Sequence, residues 1–440
     1  MNKTVLRRGG RGIASICGLA LVVALGTATA YGQSRILQGP FVGHTTPDSV
    51  ALWARLSESG AYSVVLTDES GRTRLTAVQG AHPDRDLCVV WKIGDLEADH
   101  EYRYRIEASG GTLLTTGDGY RFRTSKPLDE PAAFSIAFGS CADEGPGTAG
   151  VWRRMGMVGA QAVVLLGDTP YIDSTDLAVQ RRRYGEFAAA DAMAGLLRST
   201  PWYATWDDHD FGLNDVDGRL AGKADARRAF VEYHANPSYG DGTHGIYTSF
   251  RQGPIEVFLL DTRYFAATEP SPFAFHKPSL LGRTQWDWLQ QGLSASDAPF
   301  KVLACGMVWN GALRPNKVDS WASYPHEREA LFRFIGENRI TGVVLVGGDI
   351  HRSRVIRHEV AELAGYDVTE LITSPMHDRI IAAANAPHPG LVVDMGEPYS
   401  FLLLTADSGE AKLSVRFLNA SGTELHALAL RAAELAERKD

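Results

Sequence analysis

The sequence predicts a mixed α/β domain preceded by a small β-sandwich. Three observations lead there. Between about Ile36 and Thr124, short runs such as SVALWARL, YSVVLTD and EYRYRIEA alternate apolar and polar residues, with turn clusters SESG, DESG and ASGG between them. From Ala133 the rhythm changes to apolar runs separated by helical stretches, the pattern of buried strands covered by helices. The 440 residues also leave room for two or three domains.

The first thirty residues read as an export signal that belongs to neither domain. Lys3, Arg7, Arg8 and Arg11 form a basic start, an apolar run follows from about Ile13 to Leu25, and Ala28-Thr29-Ala30 offers a small-residue cleavage site. The run is short for a bilayer span, so no permanent membrane anchor is expected. The mature chain would begin near Tyr31, in the periplasm or outside the cell. Arg7-Arg8 leans toward the twin-arginine route, although Gly9 and Gly10 after the pair are atypical, and ordinary secretion is the alternative.

The sandwich is expected over residues 35–126, built from SVALWARL, YSVVLTD, RLTAVQG, LCVVWKI, EYRYRIEA and GYRFRT. The stretch IGDLEADHEYRYRI, with Leu96 before the turn and Tyr102 and Tyr104 after it, resembles the late strands of a fibronectin type III module. Ser125 to Pro131 (SKPLDEP) reads as a linker. The α/β domain, over residues 132–425, then runs FSIAFGSC, a helix near Gly150 to Val158, AVVLLGD, a helix from about Asp176 to Leu197, and PWYATWDDHD. It continues with IEVFLLDTR, a helix around Gln285 to Leu293, FKVLACGMV, a helix around Glu327 to Asn338, and GVVLVGGDIH. From Ser400 a β-hairpin and a short charged helix are expected.

Composition narrows the classes. With 44% hydrophobic and 22% charged residues the chain is neither disordered nor fibrous. A net charge of -8 gives no footprint for nucleic acid, yet it leaves anionic substrates open, because bound cations reverse the field inside a pocket. Once Cys17 leaves with the signal, Cys88, Cys141 and Cys305 remain, too few for a disulfide framework. Cys88 and Cys305 lie in apolar runs and read as buried small hydrophobes.

The polar residues of the α/β domain gather at the carboxyl ends of predicted strands, where ligands bind in layered α/β folds. Gly139-Ser140-Cys141, Gly167-Asp168-Thr-Pro-Tyr171, Asp207-Asp208-His209-Asp210 with Asn214 and Asp215 beyond, Asp261-Thr-Arg263, and Gly348-Asp349-Ile-His351-Arg352 occupy five such ends. Carboxylates brought together repel, and burying them is costly unless cations neutralise them. Asp and Asn oxygens suit calcium, magnesium or manganese, whereas thiolate, phenolate and imidazole suit iron or zinc. The mixture points to two unlike metals sharing an Asp, an arrangement suited to phosphoryl displacement. Adjacent residues on an extended segment face opposite ways, so Asp208 is favoured as donor and Asp207 as its support. Trp202, Trp206 and Trp309 read as core, and nothing in the spacing singles out His234, His326 or His377.

In this order, GSC, GD-x-x-Y, WDDHD-x-G-x-ND, LD-x-R and GGDIHRS resemble the motifs of the PhoD-like alkaline phosphatases and phosphodiesterases of the metallophosphoesterase superfamily, over about Phe134 to His351. The resemblance implies a four-layer αββα domain that hydrolyses phosphate monoesters, diesters or both, the nucleophile being a metal-activated hydroxide. It implies a ferric ion held by Cys141, Asp168, Tyr171 and His351, and a calcium ion held by Asp168, Asp208, Asn214 and Asp349, with manganese, magnesium, zinc or cobalt as alternatives. His209 would protonate the leaving oxygen, with Asp210 and Arg352 beside it in the catalytic group. Arg352, Arg263, Arg227 and Arg228 are candidates to hold phosphate, since Arg pairs with it bidentately. Many metallophosphatases supply a His after the strand that here runs FKVLACGMVWN, whereas this chain has Trp309 and Asn310, which favours oxygen donors and hence calcium at the second site. Thr169 and Pro170 place no basic residue between Asp168 and Tyr171. Lipid headgroup, teichoic acid and nucleotide diesters form the rival substrate class. The rival of another kind is a secreted binding module with structural metals, whose site would be closed; the polar residues left around the cluster favour an open one.

Overall fold

The computed structural model describes residues 34–437. The expected export signal lies outside the described residues. From Ser34 the chain forms one compact unit.

The amino-terminal strands make two facing sheets. Ile36–Thr45, Val50–Leu56 and Cys88–Ile93 form one, and the other is centred on the pair Gly60–Asp68 and Glu101–Ala108. Alternation decides which side chains go inward: Tyr102, Tyr104 and Ile106 are buried while Arg103 and Arg105 stay exposed. Ile36–Thr45 is an additional strand, whose pairing with Val50–Leu56 is irregular around Gly39-Pro40 and carries no clean period-2 signal. The sandwich is not a detached module. Phe41, Trp53 and Cys88 join the core of the α/β domain, Trp53 Nε1 donates to the Glu232 carbonyl at 2.8 Å, and Tyr104 Oη donates to that of Arg198 at 2.7 Å.

Among the described residues, the α/β domain holds a six-stranded and a seven-stranded sheet. The first runs Trp202–Ala204, Ala162–Leu165, Ala133–Gly139, Ser400–Asp407, Lys412–Asn419, Glu424–Arg431. The second runs Thr248–Gln252, Ile255–Leu259, Phe300–Ala304, Val343–Gly347, Val368–Ile372, Ser353–His358, Leu391–Met395. Period-2 alternation splits each central strand between two cores. Ile136 and Phe138 face the second sheet and its Val257, Val302 and Val344. Ala137, Val163 and Leu165 face the opposite way, onto Trp152, Met155, Phe187 and Leu197 of the helices Pro146–Met157, Leu177–Ala188 and Asp191–Leu197. On the outer face of the second sheet lie Trp286 and Leu289 of helix Gly282–Ala295 and Leu331 and Ile335 of helix Pro325–Glu337. Two sheets are thus enclosed between helical layers.

Two expectations are corrected. The helix expected from Asp176 to Leu197 is two helices, because its halves pack on different partners: Leu177–Ala188 on helix Lys223–Tyr233, and Asp191–Leu197 on helix Pro146–Met157 and the first strand. The charged helix expected after the final hairpin is instead the edge strand Glu424–Arg431, followed by a single turn, Ala432–Leu435.

Candidate active site

Parallel strands place their following loops at one edge of the sheets, and the predicted donors converge there. Ala133–Gly139 delivers Cys141, Ala162–Leu165 delivers Asp168 and Tyr171, Trp202–Ala204 leads to Asp208, and Val343–Gly347 delivers Asp349 and His351. Convergence needs close backbone approach. A Cβ on Gly167, which itself has φ +102°, would stand 2.2 Å from the Asp207 nitrogen, so only glycine lets the Asp168 loop lie against the Asp208 segment. The donors also bend the chain. Cys141, Asp168, Asp349 and His351 all adopt left-handed φ, between 52° and 67°, which costs roughly 1–2 kcal/mol for each non-glycine residue.

Two donor groups result. Cys141 Sγ, an oxygen of Asp168 and a ring nitrogen of His351 lie within 4.8 Å of one another, and Asp168, Asp208 and His209 form a second group of the same span. Asp168 is common to both. Tyr171 Oη lies 2.9 Å from Nε2 of His351 and 2.9 Å from Nε2 of His377. Asn214 and Asp349 line the same cavity, which measures about 320 Å³.

Burial and mutual repulsion dominate the electrostatics of the donors. Burial, then the charges of Asp208, Asp207, Asp210 and Asp349, push Asp168 far above the carboxylate range. Burial raises the Cys141 thiol and the Tyr171 phenol as well. Burial, then His377 and Arg379, hold His351 down to about 3, so its imidazole is neutral and able to donate a lone pair. Burial would raise Asp208 too, but Arg263, His209 and Lys317 outweigh it and hold it at about 2. Asp349 Oδ2 and His351 Nδ1 are buried without a hydrogen-bond partner among the described residues. Orphaned oxygen and nitrogen atoms beside a thiol and crowded carboxylates fit metal ions bound through Cys, His and Asp.

Several predicted substrate and catalytic residues are elsewhere. Arg263 is 1% exposed, with Nε 2.7 Å from Asp207 Oδ1 and a fork onto Asp319 at 2.9 and 2.7 Å. It therefore backs the Asp208 segment and cannot reach a phosphate. Arg352 is forked onto Asp394 at 2.9 and 2.7 Å, outside the cavity lining. Arg228 pairs with Glu232 and the Asp84 carbonyl, and Arg227 binds the carbonyls of Gly245 and Tyr239. Asp210 is buried, and its carboxylate accepts from the Asp207 and Thr169 backbone N–H groups, closing the turn that presents Asp208. Trp309 stacks on Trp321, and Asn310 donates to Glu370, so neither faces the donors.

Residues not singled out by sequence supply the missing positive charge. Arg314, Lys317 and Arg379 line the cavity, with Ile350, Ile381 and Ala384 as an apolar flank. The Arg379 guanidinium lies over the Tyr171 ring, 4.8 Å from its centroid. His209 lines the cavity with Nδ1 2.5 Å from Asp173 Oδ1, and His377 closes the far side of Tyr171. Arg314, Lys317, Arg379 and His377 sit on irregular loops, where hydrophobic period carries no information; only their charge could have flagged them.

The comparisons with known proteins agree with this geometry. A family model described as PhoD-like phosphatase matches residues 136–394. Alkaline phosphatase D of Bacillus subtilis (strain 168) is 24% identical, over 76% of this chain and 68% of that protein. A solved structure of PhoD superposes with a TM-score of 0.73 at 20% identity, covering 91% of both chains. The purple acid phosphatase PPD1 of yellow lupin (Lupinus luteus) gives 0.66 at 12% identity, over 90% of this chain and 74% of that one. The match spans more than half of the chain and every loop that carries a donor: the chain belongs to the PhoD-like phosphatase family and is a metal-dependent phosphoester hydrolase.

Proposed function

We propose that this chain is an exported phosphatase that cleaves phosphate monoesters, diesters or both under alkaline conditions, using a ferric ion and a calcium ion. The observation that carries the reading is the pair of donor groups sharing Asp168 at the floor of a cavity walled by Arg314, Lys317 and Arg379. Cys141, Asp168, Tyr171 and His351 would hold iron, the negative charge of thiolate and phenolate favouring the oxidised ion; Asp168, Asp208, Asn214 and Asp349 would hold calcium. Such a pair supplies Lewis acidity for attack at phosphorus.

The chain's own groups do the rest. Arg314, Lys317 and Arg379 draw the phosphate in and hold its oxygens, Arg through paired N–H donors. An ionised Asp173 can only accept, so Nδ1 of His209 carries a proton toward it and Nε2 is the nitrogen left to hand a proton to the leaving oxygen. Ile350, Ile381 and Ala384 shed water from the leaving group. The basic, apolar and small-residue segments of the first thirty residues support export to the periplasm or beyond, and no helix of the described residues is long and apolar enough to cross a membrane. The amino-terminal sandwich we read as fibronectin type III-like, from its two sheets of short antiparallel strands.

The test is turnover of a chromogenic monoester and of the matching diester by the mature protein at alkaline pH, before and after chelation, with elemental analysis. Chelator-sensitive turnover with bound iron and calcium supports the reading, and the ratio of the two rates assigns the ester class. A full metal complement with no turnover of either ester would overturn it.

A further inference from the structure

The loop after strand Phe300–Ala304 brings an ammonium, not a metal donor, to the carboxylates. Lys317 Nζ lies 2.5 Å from Asp215 Oδ1, 3.3 Å from Asp349 Oδ1 and 3.6 Å from Asp319 Oδ2, with only 4% of its side chain exposed. Asp208 adjoins the same cluster: its oxygen accepts from the Asp215 N–H at 2.7 Å, and one oxygen each of Asp208, Asp215 and Asp319 fall within 4.8 Å of one another. The ammonium thus stands where the negative charge of the Asp208 side is densest.

The loop around it is anchored on both sides, and the buried lysine end is held by ion pairs alone. Asp319 is held by the Arg263 fork, and the Ala312 carbonyl accepts from Arg354 Nη1 at 2.6 Å. Between these two anchors Lys317 has four methylene groups and rotatable bonds, enough for its charged end to move by several ångströms without the loop shifting. Its contacts are monodentate, in contrast with the forked Arg263–Asp319 pair.

We infer that Lys317 is a tethered counter-ion for the acidic half of the centre. It holds Asp349 and Asp215 when that half carries no cation, yields its place when one binds at Asp208 and Asp349, and then turns its charge into the cavity toward the substrate phosphate. This rests on the donor set proposed above for the second ion. Lys317 consequently sets the affinity of that site, because every cation that enters must displace or face a positive charge only a few ångströms away.

The experiment strips the mature protein with chelator and titrates calcium chloride into wild type, K317M, K317Q and K317R, following heat by calorimetry and bound calcium by elemental analysis. K317M and K317Q should bind calcium roughly ten-fold tighter or more, and their metal-free forms should melt earlier than the wild type; K317R, which keeps the charge, should stay close to wild-type affinity. Two chemically different neutral replacements guard against one of them failing to fold. Unchanged or weaker calcium binding in both neutral variants, with the wild type binding normally, overturns the exchange alone. No calcium bound by wild type or by any variant overturns the second metal site, and the exchange with it.

Discussion

Replacing Arg263 with methionine tests the reasoning about the carboxylates behind the site. The guanidinium neutralises Asp207, itself 1% exposed, and forks onto Asp319. Methionine fills most of the volume and removes the charge. Asp319 can rehydrate, but Asp207 is left buried against Gly306 and the Asp208 turn, and breaking a buried pair from one side costs about 3–5 kcal/mol. With an unfolding entropy of roughly 2 cal/mol/K per residue over about 400 residues, a loss of about 4 kcal/mol lowers the melting midpoint by roughly 5 °C. Differential scanning calorimetry on the mature protein reads this directly. The double variant D207N/R263M, which removes the stranded charge, should recover part of the loss, and R263K should not, because one ammonium cannot span Asp207 and both oxygens of Asp319. Turnover should suffer through KM, as the loop bearing Arg314 and Lys317 loses its anchor. An R263M midpoint within about 1 °C of wild type, with R263K near full activity, would refute the tether.

Asp168→Asn should empty both donor groups at once, and elemental analysis should find neither metal, whereas Asn214→Ala should lower calcium and spare iron. His209→Gln should keep its metals while kcat on a monoester falls by about 10²–10⁴-fold, the span typical of a proton donor; the fall should shrink on an ester whose leaving group needs no proton. His234, buried under Trp202 and Phe230, has its pKa lowered by burial to about 4 against an ordinary 6.5. Above pH 6.5 neither state binds the proton; between 6.5 and 4 the unfolded chain takes it up and the folded one does not, so stability falls with pH by about 3 kcal/mol. Denaturant melts of wild type and H234F across that window should show the variant losing about that much less; parallel losses would remove His234 from the account.

The legible part of the site is the part that sits next to regular structure. Asp168, Asp349 and His351 are readable because a run of buried residues fixes where a parallel strand ends, and a polar residue one or two steps later can only be at the sheet edge. Asp207 and Asp208 do part, but at a helix start and not along extended chain: Asp207 caps the short helix Asp208–Phe211 and pairs with Arg263, while Asp208 groups with Asp168. Arg352 and Arg263 were misread because sequence shows a charge beside a motif but hides its partner: Asp394 lies 42 residues from one and Asp319 lies 56 from the other. Arg314, Lys317 and Arg379 were missed for the opposite reason, since loops without period carry them to the cavity. In the fold, the split at Ala189-Ala190 was invisible because alanines favour helix; the break follows from tertiary partners, not from local preference.

The left-handed backbone at Cys141, Asp168, Asp349 and His351 has a consequence for laboratory evolution. A change such as Asp349→Gly would relax the left-handed backbone and delete a candidate metal donor together, so relief of local strain and loss of metal binding are tied to the same positions. A screen for heat resistance alone does not see that loss, so a campaign to harden this protein must select for turnover in every round.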